Sequence, residues 1–205
     1  MKRLIQFPAE FDYNLLLHAL QDYKKPRDKI RGLVRDRDII RIKKGLYVLG
    51  KDYNKPYNKY VLANLMYGPS YITGYTALAF WNLIPERVEL MISMTTKKKK
   101  QFETPVGRFS YLYCPKTAFN IGIQLEDAGD QKNFLIASPE KALCDITAAQ
   151  THMTKQTEMK EFLELMRLYP RFYEDLNFLL LEKITAGYKR QSLKLLMNYI
   201  KDSHV

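Results

Sequence analysis

The fold is decided near the N-terminus by one stretch, Pro26-Arg27-Asp28-Lys29-Ile30-Arg31-Gly32-Leu33-Val34-Arg35-Asp36-Arg37-Asp38-Ile39-Ile40-Arg41-Ile42-Lys43-Lys44-Gly45-Leu46-Tyr47-Val48-Leu49-Gly50. Its first half begins with proline, which suits the first position of a helix, and has apolar residues at helical spacing up to about Asp38. Its second half alternates apolar residues on both sides of Lys44-Gly45, which predicts a tight β-hairpin with a positive φ angle at Gly45. Helices followed by a basic hairpin are typical of a winged helix-turn-helix.

The residues around this stretch define the predicted domain boundaries. Apolar side chains recur at intervals of three and four residues between Phe11 and Tyr23, which predicts an amphipathic helix over 11–23. Only two clear helices therefore precede the hairpin, where three are usual. The polar, proline-containing segment 51–60 is interpreted as a linker. We therefore expect a winged helix-turn-helix domain over 1–52 and a second domain over 60–205.

The second domain is predicted to be mixed α/β with a helical C-terminal tail, which makes the chain α+β. Helix patterns occur at 60–67, 73–81 and 138–149, and strand patterns occur at 88–95, 108–114, 119–124 and 133–137. Three further helices are predicted near 157–168, 173–186 and 189–201.

Composition restricts the class of protein. The 205 residues are 46% hydrophobic, enough to bury a core without disulfides, and no apolar run approaches the length of a membrane-spanning helix. The N-terminus lacks the features of a signal peptide. The two cysteines, Cys114 and Cys144, form no C-x-x-C pair. We therefore expect a cytoplasmic protein that does not enter the membrane.

The excess of basic residues is concentrated near the N-terminus. The formal net charge is +11, with 15 basic and 7 acidic residues in 1–60 but 18 and 15 in 61–205. A local excess of this kind indicates a polyanionic partner, and beside a basic hairpin it favours double-stranded DNA.

The candidate DNA-contacting residues lie on the second helix and the hairpin. At 100° per residue, four of these residues fall within an arc of about 80° on the helix, namely Lys24, Arg27, Arg31 and Arg35. Three residues of the hairpin would contact phosphates, namely Arg41, Lys43 and Lys44. The whole set is Lys24, Lys25, Arg27, Lys29, Arg31, Arg35, Arg41, Lys43 and Lys44. A second basic run, Lys97-Lys98-Lys99-Lys100, is either a solvated loop or an auxiliary phosphate contact.

The sequence offers little for an enzyme, a metal ion or a cofactor. His18, His152 and His204 are far apart and not grouped with cysteines at ligand spacing, and no phosphate-binding glycine loop is present. An alternative is a Mg²⁺-dependent nuclease of the D…E-x-K type, which would use Asp145, Glu158 and Lys160. Glu158 and Lys160 fall in a helical pattern, whereas that mechanism requires a strand. A third hypothesis is an RNA-binding module. We expect a chain without catalytic residues, metal or cofactor.

Several motifs in order resemble AbiEi-family antitoxins over residues 8–150. The N-terminal motifs are Lys25-Pro26-Arg27-Asp28-Lys29-Ile30 and residues 39–48. The C-terminal motifs are Tyr67-Gly68-Pro69-Ser70-Tyr71-Ile72, Ala77-Leu78, Leu83-Ile84-Pro85-Glu86-Arg87-Val88, Thr104-Pro105-Val106-Gly107-Arg108-Phe109 and Ile136-Ala137-Ser138-Pro139-Glu140-Lys141-Ala142-Leu143-Cys144-Asp145.

This resemblance implies the antitoxin of a bacterial type IV toxin–antitoxin pair. Such a protein represses its own operon through the winged helix-turn-helix, with two copies expected on the operator. It counteracts a nucleotidyltransferase toxin encoded beside it without forming a stable complex, and its C-terminal domain is the part linked to neutralisation. In the motif at 138–145, Ser138 and Pro139 begin a helix, and Glu140, Lys141 and Asp145 either support the fold or form a functional surface.

Overall fold

The structure is a computed structural model that describes residue 4 and residues 6–203. Within these residues lie ten α-helices and nine β-strands, with the strands in two sheets, which confirms the α+β class. His204, considered above as a metal ligand, lies outside the described residues. None of the described helices combines the length and the apolar character needed to cross a lipid bilayer.

The N-terminal unit is a small sheet with two helices packed on it. Its elements are β1 (Glu10–Asp12), α1 (Tyr13–Ala19), α2 (Pro26–Arg35), β2 (Ile39–Lys43) and β3 (Leu46–Leu49). The strands pair antiparallel in the order β1-β3-β2. The predicted hairpin is confirmed, and the glycine in its turn has a φ angle of 87°.

The first helix begins later than the sequence predicts. Phe11 pairs with Tyr47 in the sheet, so its apolar side chain belongs to a strand rather than to a helix. Asp12 ends this strand and accepts a hydrogen bond from the backbone N–H of Leu15 at 2.8 Å, which caps helix α1. The second helix likewise ends at Arg35 rather than at Asp38.

The larger unit is built on a mixed six-stranded sheet in the order β6-β7-β5-β4-β9-β8. Its strands are β4 (Ser70–Ile72), β5 (Met91–Thr95), β6 (Lys100–Thr104), β7 (Gly107–Tyr113), β8 (Ile123–Gly129) and β9 (Lys132–Ala137). β5 runs parallel to β7, and β4 runs parallel to β9. Three predicted strands are confirmed with shifted ends, whereas the strand predicted at 119–124 is wrong at its start, because Lys116–Phe119 is helical.

Helices cover this sheet and form the C-terminal tail. They are α3 (Lys59–Met66), α4 (Gly74–Phe80), α5 (Lys116–Phe119), α6 (Pro139–Ala148), α7 (Gln156–Met166), α8 (Arg171–Glu174), α9 (Phe178–Tyr188) and α10 (Gln191–Ser203). Ser138 caps α6 by accepting a hydrogen bond from the backbone N–H of Lys141 at 3.2 Å, as the sequence predicts. The main core includes residues of the sheet and of α3, α4, α6, α7, α9 and α10.

The segment interpreted as a linker is folded against both units. Residues Lys51–Tyr53 form a turn of 3-10 helix, and the backbone N–H of Asn58 donates a hydrogen bond to Glu10 at 2.5 Å. The other carboxylate oxygen of Glu10 forms an ion pair with Lys132 at 2.6 Å. Val48 of the hairpin is also part of the main core. The N-terminal unit is therefore anchored to the larger one by both apolar and charged contacts.

Candidate nucleic-acid interface

Helix α2 buries one side against the N-terminal sheet and exposes the other. Ile30 and Leu33 are buried in an apolar cluster with residues of β1, α1, β2 and β3. The basic residues on the helix and just before it are all exposed: Lys24, Lys25, Arg27, Lys29, Arg31 and Arg35. The helix therefore presents a cationic face to solvent while its apolar face holds it in place.

Arginines from the helix and from the hairpin meet at one groove. This groove of about 420 Å³ lies between α2 and the sheet. Arg27, Arg31 and Arg35 line it from the helix, and Arg41 lines it from β2. The sequence spacing places these residues on two separate elements and does not predict that they face a common space. We call this feature the arginine groove.

Two of the four arginines already have acidic neighbours. Arg31 pairs with Asp28 at 3.2 Å, and Arg35 pairs with Asp36 at 2.9 Å, with all four side chains more than half exposed. The hydrogen bond from Arg35 lowers the pKa of Asp36, and the bond to Asp36 raises the pKa of Arg35. Ion pairs this exposed stabilise a fold little, so they remain available for exchange with an anionic ligand.

The two lysines of the hairpin turn have different environments. Lys44 is exposed. Lys43 is half-buried, and its ammonium group donates a hydrogen bond to the backbone carbonyl of Met66 at the end of α3. Burial lowers the pKa of Lys43, and the neighbouring Lys100 and Lys97 lower it further. Lys43 thus joins the hairpin to the larger unit.

The second basic run lies beside the hairpin. The ammonium groups of Lys97 and Lys100 lie 5.4 and 5.5 Å from the ring centre of Tyr67. Lys97 also donates to the carbonyl of Gly68 at 2.5 Å. Together with Lys43 these residues form what we call the Tyr67 lysine cluster (Lys43, Lys97 and Lys100). Among the residues that the structure describes, none of the three forms an ion pair with a carboxylate.

A second group of polar residues is buried inside the larger unit. Its centre is the ion pair between Lys141 and Asp145, whose atoms lie 3.1 Å apart with both side chains 0% exposed. The pair is one helical turn apart on α6, so its members lie on the same face of the helix. We call the group the buried polar cluster; its members are Tyr71, Thr73, Cys114, Lys141, Asp145 and Tyr188.

Hydroxyl groups saturate the Asp145 carboxylate. Oδ2 accepts hydrogen bonds from Tyr71 at 2.9 Å and from Thr73 at 2.6 Å. Oδ1 accepts one from Tyr188 at 2.5 Å, in addition to its contact with Lys141. The Lys141 ammonium group also donates to the carbonyl of Ala118 at 2.8 Å. A charge in an apolar interior needs partners of this kind to offset its lost hydration.

Burial keeps the other ionisable groups of the cluster neutral. It raises the pKa of Tyr71 and of Tyr188, and the nearby Asp145 carboxylate raises both further. It also raises the pKa of the Cys114 thiol. Outside the cluster, burial raises the pKa of the fully enclosed Cys144 thiol. Both thiols are therefore protonated at neutral pH, unlike a nucleophilic cysteine.

The motif at 138–145 does not form a surface. Glu140, Lys141 and Asp145 are 6%, 0% and 1% exposed, so the alternative of a functional surface made by these three residues is wrong. Glu140 accepts hydrogen bonds from the hydroxyl of Ser138 at 2.8 Å and from the backbone N–H of Asn177 at 3.0 Å. Because Asn177 caps α9, Glu140 fixes the start of that helix.

Comparisons with protein-family models and with curated protein sequences find no match to this chain.

The residues of the proposed nuclease motif have structural partners. Glu158 lies in the first turn of α7, where its carboxylate accepts hydrogen bonds from the backbone N–H groups of Thr154 and Lys155, and these bonds lower its pKa. The segment is helical, whereas the D…E-x-K mechanism requires these residues on a strand. Within the described part of the chain, no group of three or more potential metal-ligating residues occurs.

Proposed function

We propose that this chain is a transcriptional regulator that binds double-stranded DNA through an N-terminal winged helix-turn-helix, with α2 as its recognition helix. The observation that carries the proposal is the arginine groove, where Arg27, Arg31 and Arg35 of α2 and Arg41 of β2 face one space. An α-helix fits the major groove, and arginine is the side chain that most often contacts guanine there. The side chains of the arginine groove therefore make the contacts to the DNA bases.

The order of elements supports the same proposal. A strand, two helices and a β-hairpin follow each other, and the hairpin pairs with the strand in one sheet. The buried Ile30 and Leu33 hold α2 on that sheet, so its exposed face is presented as a rigid surface. In a helix-turn-helix the second helix occupies the major groove and the first crosses the backbone, which assigns these roles to α2 and α1.

Phosphate contacts surround the base-reading face. The exposed Lys24, Lys25 and Lys29 lie at the N-terminal end of α2, and Lys44 lies at the tip of the hairpin. The run Lys97–Lys100 extends the basic surface, and its ammonium groups, which have no carboxylate partner among the described residues, add auxiliary phosphate contacts. Lys43 acts mainly through its bond to Met66, which holds the hairpin in position.

The AbiEi resemblance extends the proposal from a DNA-binding protein to an antitoxin. The chain represses its own operon in the cytoplasm, with two copies on the operator, and counteracts a nucleotidyltransferase toxin encoded beside it without a stable complex. It does so without catalysis or a cofactor of its own. The DNA-binding face and the neutralising activity reside in different parts of the chain.

The DNA-binding proposal is tested by fluorescence anisotropy on the chain's own upstream DNA and on a scrambled duplex, between about 50 and 200 mM salt. We expect a preference of at least about 10³ for the upstream DNA. Arg31→Ala combined with Arg35→Ala should weaken specific binding by about 10- to 1000-fold. Circular dichroism should show an intact fold.

A matched control removes the same charge elsewhere. Lys116→Ala combined with Lys183→Ala changes two exposed lysines of the larger unit and should leave specific binding nearly unchanged. Equal losses in both double variants would refute the assignment of the arginine groove. Stronger competition by an RNA duplex than by DNA at the same salt concentration would instead support the RNA-binding alternative.

The antitoxin proposal has a separate test in cells. Co-expression of the chain with the adjacent nucleotidyltransferase should restore growth. The variant Arg31→Ala plus Arg35→Ala should restore growth equally when the variant chain and the toxin are expressed from a foreign promoter. Failure of the wild-type chain to restore growth would refute the antitoxin role and leave the DNA-binding proposal standing.

A further inference from the structure

Strand β8 forms one edge of the six-stranded sheet, and among the described residues it pairs with β9 alone. Leu125 lies near the middle of β8 and directly opposite Leu135 of β9, so their side chains share one face of the sheet. The two leucines are 64% and 37% exposed. A strand edge that carries exposed apolar residues is a site where a further strand can pair.

A hydrogen bond between β8 and β9 shows which backbone groups of β8 point away from the sheet. The backbone N–H of Ser138, just after β9, donates to the carbonyl of Gly122, just before β8, at 2.8 Å. In an antiparallel pair of strands, hydrogen-bonded residue pairs alternate with pairs that share no hydrogen bond. Leu125 and Leu135 are three residues further along their strands, so they form a pair of the second kind.

The side chain of Asn64 on α3 agrees with this assignment. Its Oδ1 accepts a hydrogen bond from the backbone N–H of Leu135 at 2.5 Å, and its Nδ2 donates to the carbonyl of the same residue at 3.4 Å. Leu135 therefore directs both backbone groups away from β8, and Leu125 directs its own towards the free edge. By the same alternation, Ile123 and Asp127 also direct their backbone groups outward.

The charge of this edge disfavours nucleic acid as its partner. Glu126 and Asp127 lie on β8, and Asp130 follows in the turn to β9. Segment 123–129 contains no basic residue, so it repels phosphate groups. The outward backbone groups are instead suited to a strand of a protein, which binds a sheet edge through main-chain hydrogen bonds.

The strand is complementary to a second copy of itself. An antiparallel pair centred on Leu125 places that residue opposite Leu125 of the second copy and Ile123 opposite Asp127, so outward backbone groups meet outward backbone groups. The same register places Gln124 opposite Glu126, where an amide can donate to a carboxylate. A pair centred on Glu126 or on Asp127 would instead place two carboxylates directly opposite each other, which is unfavourable.

We propose that β8 pairs antiparallel with β8 of a second copy of this chain, about a two-fold axis at Leu125. The paired edges join the two sheets, and the leucines at positions 125 and 135 of both copies form one row across the junction. Two-fold symmetry matches an operator with two inverted half-sites, and this use of the pair rests on the DNA-binding function proposed above. The arginine groove of each copy then contacts one half-site.

Sedimentation equilibrium of the full chain without DNA tests the pairing. One pair of strands buries less area than the roughly 1,600 Å² of a standard stable interface, so we expect a weak dimer with a Kd of about 10–200 µM. Leu125→Glu places two carboxylates opposite each other at the axis and should weaken the dimer by at least about tenfold. The matched control Leu165→Glu changes an exposed leucine of α7 and should dimerise like the wild type.

A disulfide cross-link tests the register. Residues in a hydrogen-bonded antiparallel pair have Cα atoms about 5.5 Å apart, which a disulfide can span. Under mild oxidation, Leu125→Cys should therefore form a covalent dimer at least about tenfold faster than the control Leu165→Cys at the same concentration. The native Cys114 and Cys144 are buried, so they do not compete with the introduced thiols.

The outcome is separable from that of the DNA-binding proposal. Arg31→Ala combined with Arg35→Ala should dimerise like the wild type, because the arginine groove lies outside β8, so a failure of DNA binding would leave the pairing intact. A wild-type chain that stays monomeric up to about 500 µM would overturn the proposal and leave the edge to a strand of another protein. Cross-linking at position 125 no faster than at position 165 would likewise overturn it.

Discussion

The arginine groove and the buried polar cluster both contain charged residues on a helix, yet the two regions treat charge in opposite ways. On α2, Arg31 and Arg35 each have one acidic neighbour and remain mostly in water. On α6, Lys141 and Asp145 are enclosed and surrounded by hydroxyl groups and a backbone carbonyl. A charge in water keeps its hydration, whereas a buried charge must replace every water molecule with a protein partner.

This difference separates recognition from stability. Exposed ion pairs contribute little to the free energy of folding. Substitutions in the arginine groove should therefore change binding without changing stability much. Removing one member of a buried pair leaves an uncompensated charge in the interior. Variants in the two regions should therefore affect different measurements.

The largest effect is expected at the centre of the buried polar cluster. Asp145→Asn leaves the Lys141 ammonium group buried without a carboxylate, and we expect the free energy of unfolding to fall by about 3–5 kcal/mol. Urea unfolding followed by circular dichroism measures this loss. Glu161→Gln, which changes an exposed carboxylate on α7, is the control and should leave the unfolding midpoint unchanged.

A milder variant keeps this prediction testable if Asp145→Asn does not fold. Thr73→Val removes one hydroxyl that donates to Asp145 at 2.6 Å and keeps the shape of the side chain. We expect a loss of about 1–3 kcal/mol. A loss below that of Glu161→Gln would show that the carboxylate does not depend on this donor.

A smaller effect is expected from alkaline pH. Burial raises the folded-state pKa of Cys114, Cys144, Tyr71 and Tyr188, so the folded chain keeps protons that the unfolded chain releases. Their contribution to stability is therefore complete below the pKa of the unfolded thiols and is lost as the pH rises. We expect a loss of about 2 kcal/mol between pH 8 and pH 9.5 under reducing conditions.

Urea unfolding at several pH values tests this slope. Cys144→Ala should reduce the slope, whatever its effect on absolute stability, since one proton fewer is released on unfolding. The same slope in the variant and in the wild type would contradict the assignment of this pH dependence to the buried thiols.

The sequence predicts the fold best where a local pattern and a local cause coincide. Pro26 begins α2, Ser138 caps α6, and Gly45 turns the hairpin, and each of these signals lies within the element it controls. The short strand β4 was missed, since its three residues provide too little alternation. Phe11 was assigned to a helix because its pairing with Tyr47 depends on a strand 36 residues away.

The candidate sites follow the same rule. The basic residues of α2 could be assigned to one helical face from their spacing alone. That Arg41 faces the same groove, and that Lys43 contacts Met66, depends on how separate elements pack. The buried polar cluster joins residues from Tyr71 to Tyr188, and no local pattern in the sequence connects them. Burial of Lys141 was likewise not predictable from its charge.

The smallest expected effect tests whether the exposed ion pairs of α2 compete with DNA. Asp28 and Asp36 hold Arg31 and Arg35 at 3.2 and 2.9 Å, and a hydrogen-bond acceptor of the DNA must displace them to form the same bonds. Asp28→Asn combined with Asp36→Asn should therefore tighten binding to upstream DNA by about two- to tenfold at low salt. Because both pairs are exposed, the unfolding midpoint should not change.

A control variant with the same net charge decides between two explanations of that gain. Competition and long-range attraction both weaken as salt is added, but only local competition distinguishes these carboxylates from others at the same net charge. Glu161→Gln combined with Glu174→Gln removes two exposed carboxylates of the larger unit and should change affinity less. An equal gain in both double variants would mean that DNA responds to the total charge of the chain rather than to arginines released on α2.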